Sequence, residues 1–479
     1  MNTFTTSKSY RAFLHDKTQL DGNHGFTPKQ MPDFLFPFQA SLVEWALIKG
    51  RAAIFADCGL GKTPTQLAWA DCVARHTGKP VLILTPLAVS HQTCREADKF
   101  GIEAHRSSDG TVMPHITVTN YERLKHFDPA DFAGVVCDEA SIIKHWTGAT
   151  QKGVTRFLSK IPYRLLCTAT PAPNDYTEMG THSEALGDLT HSQMIETFFR
   201  QVSDDEKKRL ATADDVIHSR RLSWRVLQSM GEYALKAHAF EPFWKWVSSW
   251  ARACRKPSDL GPFDDSYFLL PELVRRDHII TPRKPPEGWL FTIPAFGLNQ
   301  ERGERRRTIE ERSELVVDLT KDSDSAVVWC QYNPEGDRLE KDIPGSVQIS
   351  GSDSLEAKEE KLLAFLDGSA RVLITKPKIA GLGLNLQQCA HVVCFVDHSY
   401  EQFYQCVRRC YRFGQKRSVT LDVIATEGEI NVARNMARKQ RLADQMFDQV
   451  VTYMNSSKTV TAKQRTTQTE VPSWLSLTK

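Results

Sequence analysis

No pair of cysteines two residues apart occurs in this chain of 479 residues, although it holds 11 cysteines. The closest pairs, Cys389/Cys394 and Cys406/Cys410, have no second ligand pair beside them, so no zinc framework is expected. An odd number of scattered thiols also argues against a disulfide scaffold and for a reducing compartment. Apolar runs of roughly 18 residues, the length needed to cross a bilayer, are missing. The first twenty residues lack an apolar signal core, so the expected location is cytoplasmic. Charge of one sign is lacking too: 61 basic residues against 58 acidic ones leave a formal net charge of +3. Any nucleic-acid surface must therefore be local. No internal repeat is visible.

What is present is the composition of a globular protein, 41% hydrophobic and 25% charged. At about 150 residues per domain, the length suggests three domains, or two with a large insertion. Short apolar runs at Ala52–Ala56, Val81–Thr85, Ile116–Thr119, Gly134–Cys137 and Arg164–Cys167 read as buried strands. Helical patterns at Thr63–His76 and Ala88–Phe100 lie between them. The rhythm returns with strands at Ala326–Gln331, Ser346–Ile349, Val372–Thr375, Val392–Val396 and Val419–Ile424, and helices at Leu355–Leu366, Tyr400–Cys410 and Ile430–Val451. Such alternation predicts an α/β fold with two parallel sheets. The expected layout is an N-terminal extension (1–30), a first lobe (31–175), a mainly helical insertion with a Pro/Gly-rich connector (176–314), a second lobe (315–455) and a polar flexible tail (456–479).

Ala56-Asp-Cys-Gly59-Leu-Gly61-Lys62-Thr63 follows a predicted strand and opens a predicted helix, the setting a phosphate-binding loop requires. Glycines let backbone N–H groups curl around phosphate oxygens, and the helix start adds its positive dipole end. Lys62 would reach the terminal phosphates and Thr63 would ligate Mg²⁺. Ala56 stands where the usual pattern has its first glycine. The partner segment is Val135-Val136-Cys137-Asp138-Glu139-Ala140-Ser141, an apolar strand that delivers two carboxylates at its C-terminal end. Asp138 would hold Mg²⁺, and Glu139 would polarise the attacking water as general base. Together the two segments indicate an NTPase.

Around these motifs the chain resembles the superfamily-two helicases, and within them the Swi/Snf-type ATPases, over about Phe36–Thr170 and Ser325–Met454. The resemblance implies two RecA-like lobes. Phe36-Pro-Phe38-Gln39 is similar to the upstream adenine-reading segment, with Gln39 on the base. Leu84-Thr85-Pro86 and Thr119-Asn120-Tyr121-Glu122 resemble segments that touch the nucleic-acid backbone. Cys167-Thr168-Ala169-Thr170-Pro171 with Asn174 resembles the motif coupling hydrolysis to lobe movement, and Gly381-Leu-Gly383-Leu384-Asn385-Leu386 the fifth motif. Gln405-Cys-Val-Arg408-Arg409-Cys-Tyr411-Arg412-Phe-Gly414-Gln415 resembles the sixth. By this resemblance Gln405, Arg409 and Arg412 join the catalytic set, the arginines as fingers that neutralise charge on the transferred phosphoryl group. The run from Ser399 to Lys416 is especially similar to helicases carried by phages and prophages. Ser141 stands where this subgroup commonly has histidine, and Arg408 where it commonly has glycine.

Between Ile217 and Lys256, eight Lys/Arg face two acids, with Trp224, Phe240, Trp244, Trp246 and Trp250 interleaved. Arg220, Arg221, Arg252 and Arg255 are candidate phosphate contacts. Phe240, Phe243, Trp244, Val247 and Ala251 fall at helical spacing, the pattern of a core stripe. Glu304-Arg305-Arg306-Arg307 reads as a backbone contact or as the exposed start of a helix. The expectation for the whole chain is an ATP- and Mg²⁺-dependent motor on DNA, duplex favoured, with no membrane partner. The rivals are a strand-separating DNA or RNA helicase and a nucleotide-gated clamp that recruits another enzyme.

Overall fold

The computed structural model describes residues 24–86, 89–203, 205, 232–286, 294–295, 298–380 and 385–456. The chain divides into two units, Met1–Phe268 with Leu442–Lys479, and Leu269–Arg441.

In the first unit, helix α1 (Pro37–Lys49) starts on a proline, tolerated where the N–H has no helical partner, and stops at Gly50 with φ 72°. There follow β1 (Arg51–Ala56), α2 (Lys62–Thr77), β2 (Val81–Thr85), α3 (Ser90–Lys99), β3 (Ala104–Arg106), β4 (Ile116–Asn120), β5 (Gly134–Asp138), α4 (Ala149–Leu158) and β6 (Tyr163–Cys167). Helices α5 (Met179–Leu186) and α6 (His191–Phe198) lead to a short antiparallel pair, β7 (Phe199–Gln201) and β8 (Tyr233–Leu235). Helix α7 (Phe240–Trp250) and β9 (Ala251–Cys254) complete the set. The main sheet runs β3-β4-β2-β5-β6-β1-β9 and is parallel throughout. Its central strands are buried along nearly their whole length, as a sheet covered on both faces demands.

Residues 176–314, expected as one insertion with a connector, are shared between the two units. Ala251–Cys254 forms an edge strand beside β1, pairing Ala53 with Ala251 and Ala56 with Cys254. The aromatic stripe before it is core: Phe243, Trp244 and Val247 are fully buried, with Trp246 and Trp250 nearly so. Phe198 lies edge-on to Phe243 at 5.4 Å and Tyr176 to Trp244 at 5.0 Å, a favourable geometry for aromatic quadrupoles. Trp246 donates its indole N–H to Asp188 Oδ2 at 3.0 Å.

The second unit opens on β10 (Leu273–Ile280), in a stretch expected to be connector. It continues with α8 (Leu298–Arg307), α9 (Ile309–Thr320), β11 (Ala326–Trp329), α10 (Asn333–Asp342), β12 (Ser346–Ile349), α11 (Leu355–Leu366), β13 (Val372–Thr375), α12 (Pro377–Ala380), β14 (His391–Phe395), α13 (Tyr400–Cys410), β15 (Val419–Thr426) and α14 (Ile430–Ser456). From Leu442 onward, α14 belongs to the first unit. The sheet order is β10-β15-β14-β11-β13-β12, again all parallel. The two parallel sheets together make the chain an α/β protein.

The Glu304–Arg307 run is split in this fold: Glu304 and Arg305 are buried, Arg307 is half-buried and Arg306 is exposed. Arg305 is buried, pairs with Glu429 at 2.7 Å and donates to the Val396 carbonyl at 2.8 Å. Glu304 accepts from the Thr426 hydroxyl and from Arg307. Nearby, Arg312 and Glu335 form an ion pair at 2.7 Å with both side chains 1% exposed. Each charge is tolerated because hydrogen bonds satisfy what the partner leaves over: Arg312 also donates to the Arg305 carbonyl, and Glu335 accepts the Gln331 and Tyr332 N–H groups. No helix of the described residues is long and apolar enough to cross a membrane. All 11 cysteines are free thiols.

Candidate functional site

Three of the segments singled out in the sequence emerge side by side, from the C-terminal ends of the adjacent strands β5, β6 and β1. Register fixes this alignment, since Cys167 on β6 pairs with Asp138 on β5 and with Ile54 on β1. Ligands of open α/β sheets bind at this end.

After β1, the chain turns through Gly59 (φ 91°) and Gly61 (φ 74°), both in the region that side chains disfavour. Gly61 is the N-cap of α2, and no side chain caps that helix, so its first N–H groups present an anion-binding end. A Cβ on Gly61 would meet Gln39 Nε2 at 2.2 Å. Lys62 Nζ folds onto the loop, donating to the Ala56 carbonyl at 2.9 Å and the Asp57 carbonyl at 3.3 Å. Gln39 stands 2% exposed against the same loop. It donates to the Leu60 carbonyl at 2.9 Å and accepts the Phe36 N–H at 3.0 Å.

The carboxylates are tied to this loop. Gln66, one turn beyond Lys62 on α2, donates to Asp138 Oδ1 at 2.7 Å. Burial pushes the Asp138 carboxyl above its ordinary value, opposed by the Gln66 hydrogen bond and by the Lys62 charge. Glu139 adopts a left-handed backbone (φ 51°, ψ 54°). Its Oε1 accepts from the Thr168 hydroxyl at 2.8 Å and from the Ser141 hydroxyl at 3.1 Å. Thr168 in turn accepts the Thr170 N–H at 3.0 Å, so its hydroxyl proton is directed at the glutamate. Ser141 thus serves the neighbouring carboxylate. Gln66 was not singled out in the sequence. Its signal was its place four residues after Lys62, on the same face of the helix.

The segment behind Thr170 is held from the side of α5. Asn174 donates to both oxygens of Glu178, at 3.0 Å from its backbone and 2.7 Å from its side chain. His182 Nε2 bonds the Pro171 carbonyl at 2.8 Å. Burial pushes the Glu178 carboxyl up to about 7 and the His182 imidazole down to about 4.

The expected nucleic-acid residues are placed differently from one another. Thr85, Thr119 and Asn120 are buried, and the two threonine hydroxyls donate to the Thr119 and Ser107 carbonyls. The two threonine side chains therefore serve the sheet, while Pro86 is half-buried at the end of β2. Arg252 donates to the Ser248 and Ala251 carbonyls and stacks over Trp45 at 4.4 Å, and burial lowers its guanidinium to about 10. Arg255 pairs with Asp444 at 2.6 Å and lies 4.8 Å over Phe447. Both arginines are engaged in packing of the first unit. Arg220, Arg221, Gly381 and Gly383 lie outside the described residues, as does Trp224.

In the second unit, α13 buries Tyr400, Phe403, Cys406, Val407 and Cys410 and leaves Gln405, Arg408 and Arg409 half-buried on its other side. Arg408 lies over the Tyr404 and Tyr411 rings at 5.7 Å and 5.5 Å. Arg412 sits in the turn just past the helix end, where Gln415 N–H bonds its carbonyl at 3.0 Å. The Gln415 amide clasps three carbonyls, those of Gln387 (2.8 Å), Cys389 (3.0 Å) and Cys410 (3.2 Å). It thus fixes the end of the arginine-bearing helix to the loop at 387–389.

Residues 309–414 match a family model described as the helicase conserved C-terminal domain. No curated protein matches the chain. Among solved structures, the Sulfolobus solfataricus SWI2/SNF2 ATPase core in complex with dsDNA is similar over 90% of this chain and 96% of its own, at 16% identity and a TM-score of 0.39.

Proposed function

We propose that this chain is a nucleic-acid-dependent ATPase of the helicase type, and that it is a motor on duplex DNA. The observation that carries the ATPase reading is the 2.7 Å hydrogen bond between Gln66 and Asp138, which joins the phosphate-loop helix to the acidic strand end. The helicase-domain match over residues 309–414 supports the polymer dependence, and the motif resemblance favours duplex DNA.

In this reading the loop N–H groups and Lys62 bind the nucleotide phosphates, and Lys62 exchanges the Ala56 and Asp57 carbonyls for phosphate oxygens. The donor set suits a hard divalent cation: Thr63 and Asp138 would hold Mg²⁺, which supplies charge neutralisation at the phosphate oxygens. A cation there would offset the desolvation that raises the Asp138 carboxyl. Glu139 takes the proton of the attacking water, with Thr168 and Ser141 fixing the orientation of the carboxylate. Arg409 and Arg412 neutralise charge on the transferred phosphoryl group, with Gln405 beside them on α13.

Displacement of a third strand from a DNA triplex tests the motor directly. Translocation on duplex DNA predicts ATP-dependent displacement that Lys62→Ala abolishes. Unwinding of forked duplexes without triplex displacement would favour the strand-separating helicase. DNA retention controlled by ATP, with neither displacement nor unwinding, would favour the clamp.

A further inference from the structure

Glu139 is the one non-glycine residue with positive φ among the described residues. A residue with a Cβ is disfavoured there, so the surroundings must hold the Asp138–Glu139 peptide in place. Thr168 and Ser141 hold the side chain. The peptide itself is held from another direction, because the Tyr121 hydroxyl donates to the Asp138 carbonyl oxygen at 2.7 Å. Tyr121 is buried, and burial raises its hydroxyl well above the ordinary phenol value, so it remains a donor.

Tyr121 is also the first residue of a 3₁₀ turn, Tyr121–His126, that follows β4. Tyr121, Leu124 and Phe127 are buried, whereas Glu122, Lys125 and His126 are exposed, the three-residue period expected of such a turn. Arg123 donates to the Ser108 carbonyl and anchors the turn on a second side. The turn therefore has an apolar underside ending in a hydroxyl on the Asp138 carbonyl, and an outer side carrying Glu122, Lys125 and His126.

We propose that Tyr121 is a positioning residue: it sets the Asp138–Glu139 peptide and relays contact between a nucleic-acid backbone and the outer side of the turn to the Glu139 carboxylate. The inference rests on the proposed ATPase reading and names how polymer binding reaches the base. A phosphate drawn to Lys125 and His126 shifts the turn, and the Tyr121 hydroxyl carries the shift to the carbonyl it holds. This gives the first unit its own route from polymer to hydrolysis.

The test uses the full chain with Tyr121→Phe, which keeps the buried ring and removes only the donor. Amide hydrogen exchange is read without nucleotide or polymer, and ATP turnover with and without duplex DNA. The expected result is exchange about five- to tenfold faster at residues 139–143 and unchanged at 65–74, the size of effect one lost hydrogen bond produces. The variant's kcat should fall by about the same factor with KM within about twofold, and its stimulation by DNA should collapse. A Lys125→Ala/His126→Ala variant should need more DNA for half-maximal stimulation. Equal exchange at 139–143, or a Tyr121→Phe enzyme stimulated as strongly as wild type, would overturn the proposal. Wild-type protein that hydrolyses no ATP would instead end the ATPase reading, and the exchange comparison would still decide the role of Tyr121.

Discussion

Glu178 and His182 sit one helical turn apart behind the Thr168–Asn174 segment, and burial moves them in opposite senses. The Glu178 carboxyl, pushed from 4.5 up to about 7, binds its proton more tightly in the folded state. Its contribution is fully present below pH 4.5 and is lost as the pH rises through 7. The His182 imidazole, pushed from 6.5 down to about 4, resists its proton when folded. Its contribution is present above pH 6.5 and is lost as the pH falls through 4. Each group changes stability by about 1.4 kcal/mol per pH unit where folded and unfolded protonation differ. Over the shared window, from about pH 4.5 to 6.5, the two slopes have opposite sign and cancel. Removing one group unmasks the other. Relative to wild type, Glu178→Gln should gain about 3 kcal/mol of stability across that window as pH rises, and His182→Gln should lose about as much. Urea unfolding followed by tryptophan fluorescence at a series of pH values reads this, because Trp244, Trp246 and Trp250 lie in the same core. Two variants whose stability changes with pH in the same direction would refute the reasoning.

Two further substitutions probe the carboxylate support and the buried charges. Thr168→Val removes the donor to Glu139 and leaves the Thr170 N–H without its acceptor. A charge-assisted bond contributes ~1.5–3 kcal/mol, so steady-state kinetics should show kcat down roughly tenfold or more with KM little changed, and a kcat within twofold of wild type would count against the assignment. Arg312→Met strands the Glu335 carboxylate in an apolar setting. It should destabilise the second unit by about 3–5 kcal/mol in denaturant titration, and adding Glu335→Gln, which keeps the acceptor for the Gln331 and Tyr332 N–H groups, should restore much of the loss. A double variant as unstable as the single one would contradict the pairing.

The legible parts of the chain were those where local pattern and tertiary context agree. Ile-Leu-Val runs such as Val81–Thr85 and Val372–Thr375 are strands because sheets covered on both faces need unbroken apolar strands. Edge strands lacked that signature. Ala251-Arg-Ala-Cys254 has no β-branched residue and follows an aromatic helix without a break, so its pairing with β1 was hidden. Leu273–Ile280 carries Arg275, Arg276 and Asp277 at its middle, as a partly solvated edge can, and therefore read as connector. At the site, Lys62, Asp138 and Glu139 announced themselves by type and spacing. Gln66 did not, because its bond to Asp138 crosses 72 residues, and Ser141 and Tyr121 stood out only by their place in family segments, not by the bonds they make to Glu139 and to the Asp138 carbonyl. Arg252 and Arg255 looked like phosphate ligands by charge alone, and their aromatic and acidic partners come from α1 and α14.

If Glu139 is the base of polymer-dependent ATP hydrolysis at the Lys62 loop, it will show in turnover by the purified chain with no polymer, single-stranded DNA, duplex DNA and RNA. Glu139→Gln and Lys62→Ala should be measured alongside, with fluorescent-nucleotide binding as a second readout. Turnover should be stimulated most by duplex DNA. Glu139→Gln should lower kcat by about 10²–10⁴-fold, the range of a lost general base, while still binding nucleotide. Lys62→Ala should weaken binding itself. Turnover indifferent to every polymer, or undiminished in Glu139→Gln, would contradict that assignment.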